Sequence, residues 1–188
     1  MTTNIWTGDK VRLRPVSPAD WKLFHENDQD SEGARLSDAL YFPRSEDGTK
    51  AWAERASSAA ASEGDNVFLA IETIDGALVG SIATDRCDAR NGTFKYGVAI
   101  FRNHWRNGYA SEAIAILLRY YFEELRYRKA NAYVYAFNEA SRALHERLGF
   151  VREGILREMI FTKGKPYDEY VYGLTKEEFE SRNSTDLP

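Results

Sequence analysis

The chain has 188 residues, 43% of them hydrophobic and 13% aromatic, which is enough for a substantial core and too apolar for a disordered polymer. Its formal net charge is −4 and its Lys and Arg residues are dispersed, so the concentrated basic footprint of a nucleic-acid binder is absent. One cysteine, Cys87, excludes an internal disulfide, and no Cys/His spacing suits a zinc site.

The N-terminus shows no basic-then-apolar leader and no apolar run approaches a membrane span. We therefore expect a cytoplasmic protein that binds no membrane, no nucleic acid and no metal. Cys87, flanked by Arg86 and Asp88, reads as a partly buried structural thiol.

Lys10–Arg14 alternates apolar and charged side chains and predicts a half-buried strand ending at Pro15. Ser17-Pro18-Ala19-Asp20 supplies an N-cap, a proline at the first helical position and an acid in the first turn, so a helix should carry Trp21, Phe24 and His25. His25 reads as a surface or core-edge residue. Asp30–Asp47 is broken by Gly33 and Pro43, with Gly48 just beyond, yet holds Leu36, Leu40, Tyr41 and Phe42, which suggests a short helix or ordered loop against a cleft. Thr49–Ser62, rich in alanine, predicts a second full helix.

From Asn66 the period changes. Val67–Ile71 and Ala77–Ala83 read as strands joined at Asp75-Gly76, and Asn91-Gly92 leads into a third strand, Thr93–Ile100, giving an antiparallel meander. A helix from about Gly108 should bury Ala110, Ala113, Ile114, Leu117, Leu118, Tyr121 and Leu125. Ala130–Ala136 is a strand and Asn138–Leu148 a helix stopped by Gly149. Phe150–Phe161 and Tyr167–Leu174 form a closing hairpin around Gly164, and Thr175 with Glu178 is a capping box for a last helical turn. The expectation is one α/β domain over residues 1–188 with a mixed sheet.

Val98–Ser111 holds the most informative stretch. A strand that runs through Gly108 into a helix leaves backbone N–H groups unpaired at the positive end of the helix dipole, an arrangement suited to phosphate. Arg106, Asn107, Gly108, Tyr109, Ala110 and Ser111 can each supply such a donor. By itself the turn also serves ordinary packing. No Gly-Lys-Ser/Thr follows the glycine and no G-x-G-x-x-G is present, so neither a nucleoside-triphosphate loop nor a dinucleotide fold is indicated.

Trp105-Arg-Asn-Gly-Tyr-Ala110, followed by Asn138, Ser141 and Leu148-Gly-Phe150, resembles the paired motifs of the GCN5-related N-acetyltransferase (GNAT) superfamily. Glu153–Glu158 and Tyr170–Leu174 are most similar to its bacterial ribosomal-protein N-terminal acetyltransferases, and the likeness runs from Val11 to Phe179. Trp105 departs from the usual Arg or Gln at that position, and it either packs or stacks beside the cofactor. The resemblance implies a mostly antiparallel sheet of about seven strands flanked by helices, with acetyl-CoA as co-substrate.

The resemblance further implies that backbone groups of Val98, Ala99 and Ile100 hold the pantetheine arm and polarise the thioester carbonyl, with Arg106–Ser111 on the pyrophosphate and Asn138 and Ser141 on the pantetheine. Asn138 also reads as a helix N-cap. It places catalytic candidates at His145, Tyr133 and Ser141. His145 stands where many relatives have a tyrosine that protonates the thiolate; its ordinary alternative is a helix-surface histidine. Relatives often carry a glutamate base near Tyr133, and no carboxylate is adjacent in this sequence, so cleft lining is the ordinary reading of Tyr133 and Tyr135. His104 reads as structural.

A site lacking an evident strong base suits an α-amine, with a pKa near ~8, better than a lysine near ~10.4. The acceptor is thus expected to be a peptide N-terminus or a small amine, its specificity set by Asp30–Asp47, Asp85–Gly92 and the final hairpin. A homodimer through strand edges or that hairpin fits the pattern. The competing reading is a non-catalytic acetyl-CoA sensor or docking module.

Overall fold

The computed structural model describes residues 4–37, 40–58 and 64–183. Its strands are β1 (Val11–Pro15), β2 (Phe68–Thr73), β3 (Leu78–Asp88), β4 (Thr93–Ile100), β5 (Lys129–Tyr135), β6 (Val151–Thr162) and β7 (Lys165–Thr175). They form one seven-stranded sheet in the order β1-β2-β3-β4-β5-β7-β6. The β1–β2, β2–β3, β5–β7 and β6–β7 pairs are antiparallel and the β4–β5 pair is parallel. Helices are α1 (Trp21–Asp28), α2 (Ser31–Ser37), α3 (Glu46–Ser58), α4 (Tyr109–Arg119), α5 (Glu139–Leu148) and α6 (Lys176–Asn183). None of the described helices is long and apolar enough to cross a membrane. The mixed, mostly antiparallel sheet flanked by helices matches the expected class.

The chain divides into two compact units, Met1–Thr84 with Val98–Leu117 and Asp85–Gly97 with Leu118–Pro188. In the first, Val16, Phe24, Ala53, Ala70 and Leu78 form a buried cluster, with Trp21, Trp52 and Phe101 against it. Phe24 meets Trp52 and Phe101 edge-on at 5.0 and 5.7 Å. Ser17 caps a 3₁₀ turn, Pro18–Asp20, that leads directly into α1: its N–H donates to Asp20 at 2.7 Å in a reciprocal capping box around Pro18. Asp20 is buried and takes two bonds from Arg14, at 2.8 and 2.9 Å. Burial pushes its carboxyl up, but Arg14 and the Ser17 N–H outweigh that and hold it below the usual range.

The second unit is built on aromatic packing. Phe94 stacks on Tyr121 at 4.4 Å and meets Tyr127 edge-on at 5.5 Å, while Phe122 meets Phe179 at 5.5 Å. Along β5, Ala130, Ala132 and Val134 are buried and the intervening residues half-buried, the period of a strand with one core face. Asn138 caps α5, Gly149 closes it at φ +96°, and the Thr175–Glu178 box opens α6.

The segment after Asp30 forms the short helix α2, one of the two forms expected there, with the Asp30 carboxylate accepting the Gly33 N–H at 3.2 Å. Three boundaries differ from expectation. Helix α3 starts at Glu46, ahead of Thr49, because Ser45 Oγ accepts the Gly48 N–H at 3.1 Å; the expected helical residues 59–62 lie outside the described residues. Strand β3 continues to Asp88, so Asp85–Asp88 is strand and not loop. Helix α4 ends at Arg119 and passes into a wider π turn, Tyr120–Glu124, where the Leu125 N–H reaches the Tyr120 carbonyl at 3.2 Å.

Candidate active site

In the first unit the site begins where β4 ends. The ladder of β4 with β5 consists of Thr93–Lys129, Phe94–Ala130 and Lys95–Asn131, whereas β4 itself continues to Ile100. Val98, Ala99 and Ile100 are half-buried. A Cβ on Gly80 would collide with the Ala99 carbonyl, so the close approach of these backbones requires glycine there. The chain then makes a 3₁₀ turn at Arg102–His104, crosses left-handed conformations at Arg106 (φ 65°) and Gly108 (φ 83°), and enters α4.

Side chains fix this loop from behind. The Trp105 indole N–H donates to the Ile100 carbonyl at 2.6 Å, and the Arg102 guanidinium lies 5.4 Å from the Trp105 ring while bonding Asp30 at 2.6 and 2.5 Å. Asn107 Nδ2 donates to the His104 carbonyl at 3.1 Å, and Lys10 Nζ to the Asn107 carbonyl at 3.2 Å. Glu112, in the first turn of α4, accepts the backbone N–H groups of Asp9, Lys10 and Val11 at 3.0, 2.8 and 2.7 Å. By contrast, the backbone N–H groups of Arg106, Asn107, Gly108, Tyr109 and Ala110 have no acceptor among the described residues. An open hollow of about 570 Å³ beside them is lined by Lys10, Thr73, Ile74, Asp75, Asn107 and Tyr109. Uncovered amides at a helix start with a lysine ammonium alongside are suited to a phosphate-bearing ligand.

In the second unit, α5 carries the candidates Ser141 and His145, with Asn138 at its start. Asn138 Oδ1 accepts the Ser141 N–H at 3.0 Å, which confirms the cap, and the Ser141 carbonyl accepts His145 Nδ1–H at 2.7 Å. Ser141 Oγ is 3.4 Å from the same nitrogen. His145 is only 3% exposed and lies among Tyr96, Phe150 and Tyr172, with ring centres at 5.9, 5.2 and 5.9 Å. The helix-surface alternative is therefore corrected: this face of α5 packs into an aromatic core. Burial pushes the imidazole pKa below 6.5, against a smaller upward pull from the Ser141 carbonyl. His145 is thus held in its neutral form, with its proton on Nδ1 and the lone pair on Nε2. That Nε2 and the neighbouring Tyr96 hydroxyl are both buried without a hydrogen-bond partner among the described residues. Such groups mark places where water or a ligand atom completes the bonding.

Tyr133 and Tyr135 share one face of β5. Lys95 Nζ lies 4.7 Å from the Tyr133 ring centre. Directly opposite Tyr135, β7 places Glu169, a carboxylate that the sequence did not put near this strand. Burial pushes its pKa up, with Lys95 pulling the other way. The clue available was the alternation of Tyr167–Val171, once paired with β5. The other residues considered make local contacts: His25 Nδ1 is 3.1 Å from Thr49 Oγ1, Cys87 Sγ is 4.0 Å from the Tyr121 hydroxyl, and the His104 backbone carbonyl accepts from Asn107. Among the described residues no grouping of His, Cys, Asp and Glu could hold a metal ion.

A mixed sheet whose fourth strand ends in an amide-lined glycine turn is the frame of a coenzyme-A-dependent acyl transferase. Residues 10–151 match the family described as "Acetyltransferase (GNAT) domain", and the chain belongs to this family of N-acetyltransferases, enzymes that use acetyl-CoA. It is 43% identical over 180 residues to the "SPbeta prophage-derived uncharacterized N-acetyltransferase YokL" of Bacillus subtilis, covering 96% of this chain and 98% of that protein. Over 106 residues it is 34% identical to the "Putative ribosomal N-acetyltransferase YdaF" of the same organism, 56% of this chain and 58% of that one. The fold is shared with the spermidine N-acetyltransferase of Vibrio cholerae in complex with CoA and spermine, with a TM-score of 0.78, 20% identity, and coverage of 90% and 98%.

Proposed function

We propose that this protein transfers the acetyl group of acetyl-CoA directly to a primary amine, a peptide N-terminus or a small-molecule amine, within a ternary complex. The observation that carries this reading is the run of uncovered amides from Arg106 to Ala110 behind a left-handed Gly108. In the proposal these amides, with Ser111, bind the pyrophosphate of the co-substrate. Backbone groups of Val98, Ala99 and Ile100 bind the pantetheine, and one N–H among them stabilises charge on the thioester oxygen. Donors fixed before the reaction stabilise developing charge without reorganisation. Asn138 and Ser141 complete the co-substrate contacts, and Tyr133 lines the acceptor side.

His145 enters as a neutral imidazole. With Nδ1–H held on the Ser141 carbonyl, its free Nε2 can take a proton from the nitrogen as the C–N bond forms and return it to the departing sulfur. Ser141 positions the ring through its carbonyl. The whole chain acts as one catalytic domain. A homodimer through β6 is part of the reading, because this edge strand exposes Ile155, Met159 and Phe161.

The test is a screen of peptides, polyamines and aminoglycosides for CoA release, with acetylated products identified by mass. Gly108→Glu, which adds bulk and negative charge at the amides, should abolish acetyl-CoA binding while leaving the circular dichroism unchanged. No CoA release with any amine would overturn the proposal.

A further inference from the structure

The unit formed by Asp85–Gly97 and Leu118–Pro188 contains a second set of polar groups that co-substrate binding does not use. Ala130, Ala132, Val134, Tyr172 and Leu174 face its core. The opposite face of the same strands presents Tyr133 and Tyr135, with Val171 and Glu169 across from them. Phe137 extends this row; its ring lies 5.4 Å from Tyr135 and 4.8 Å from Tyr167. The result is a half-open wall of aromatic rings around one carboxylate.

Two ammonium groups already lie on this wall. Lys95 Nζ is 4.7 Å from the Tyr133 ring centre and Lys165 Nζ 5.0 Å from that of Tyr167. Both are cation–aromatic contacts, so the rings accept a protonated amine in this setting. Between them, Glu169 receives no hydrogen bond among the described residues, and neither lysine is within ion-pair distance. On its β6 side the neighbour is Leu156, which is apolar. A half-buried carboxylate without a donor is costly unless a cation or donor completes it.

We propose that Glu169 anchors the ammonium group of the acceptor on this aromatic face, and that the acceptor is a monocationic primary amine. Lys95 and Lys165 flank the carboxylate and repel a second positive charge, so a polyamine is disfavoured. The anchoring stands on the geometry of β5 and β7; the proton step that follows rests on the acetyltransferase reading. The bound R–NH₃⁺ gives one proton to the Glu169 carboxylate, and the neutral amine attacks the thioester carbon. As the C–N bond forms and the C–S bond breaks, the second amine proton ends on the departing thiolate sulfur. Glu169 releases its proton to solvent, so the products are amide, CoA–SH and H⁺.

The experiment titrates the full-length protein with 2-phenylethylamine, a monocationic primary amine, and with spermidine, following tyrosine ring resonances by NMR. The expected result is saturable binding of 2-phenylethylamine that shifts Tyr135, is at least tenfold weaker in Glu169→Gln, and is stronger in Lys95→Met. Spermidine should bind more weakly than the monoamine to wild type and gain most from Lys95→Met. No binding to wild type, equal binding by Glu169→Gln, or tighter binding of spermidine overturns the proposal. If Glu169 served only as a structural partner of Lys95, both substitutions would weaken binding alike, which also overturns it. CoA release is measured separately: amine binding through Glu169 with no CoA release removes the acetyltransferase reading and leaves the anchor intact.

Discussion

In the loop after β4, side chains are drawn to the back and backbone amides are left uncovered; on α5 a side chain is enclosed and one of its ring nitrogens is left without a partner. The loop offers recognition by fixed dipoles, which any residue contributes through its N–H provided φ is allowed. Helix α5 offers a titratable group whose behaviour depends on what surrounds it. Binding of the first kind should respond to backbone geometry, and chemistry of the second kind to burial.

The largest expected effect tests what holds the loop's helix in place. Glu112→Ala removes one carboxylate from three backbone N–H groups, those of Asp9, Lys10 and Val11. Bonds to a charged acceptor contribute ~1.5–3 kcal/mol each but share desolvation, so we expect a loss of about 3 kcal/mol in urea denaturation. A loss below about 1 kcal/mol would show that Glu112 does not anchor α4.

His145→Ala probes the enclosed group. Turnover should fall by roughly a hundredfold, the ordinary range for a proton-transfer group, with the KM for acetyl-CoA nearly unchanged. An equal fall in affinity would mean that His145 supports binding and not chemistry. The pH dependence of stability gives a second readout. Because burial lowers the folded-state pKa of His145 below 6.5, the unfolded chain binds more protons in the interval between the two values. Stability should therefore be complete above about 6.5 and decline as pH falls through that interval. His145→Phe should flatten this part of the profile. Tyr96, Tyr172 and the Glu146 carboxylate, which accepts the Tyr172 hydroxyl at 2.9 Å, are unchanged by that substitution.

Much of the loop's geometry was legible in residue order, because a strand, a glycine and an amphipathic helix in succession dictate where unpaired amides fall. The caps at Ser17, Asn138 and Thr175 were legible for the same reason: each is set within a few residues. Glu169 was not, because its neighbour Tyr135 lies on another strand and only the β5–β7 register brings them together. The burial of His145 was likewise invisible, since it depends on Tyr96 and Tyr172 from two strands. Glu112 drew no reading from the sequence, because the three backbone donors on its carboxylate come from Asp9–Val11, far earlier in the chain.

Gly108→Val places a β-branched residue at φ 83°, a conformation that costs L-residues ~1–2 kcal/mol, and brings its Cβ to 3.0 Å from Lys10 Nζ. We expect acetyl-CoA affinity to weaken about tenfold in calorimetry, with turnover at saturating co-substrate little changed. Loss of turnover at unchanged affinity would reverse the division of labour between the loop and α5.

The smallest effect concerns Trp105, the residue that departs from the usual motif. Its indole N–H reaches the Ile100 carbonyl at 2.6 Å, joining the start of the loop to the strand end in the way a polar side chain could. The ring is 40% exposed and lies against Arg102, so packing alone does not account for it. Trp105→Phe keeps an aromatic partner for Arg102 and deletes only the donor. A neutral hydrogen bond is worth ~0.5–1.5 kcal/mol, so co-substrate affinity should drop a few-fold and stability by about 1 kcal/mol. Trp105→Arg restores a donor of the family's usual type and should recover most of that affinity. If phenylalanine binds acetyl-CoA as well as tryptophan does, the Ile100 contact is incidental and the loop is shaped by Gly108, Arg106 and Glu112 without it.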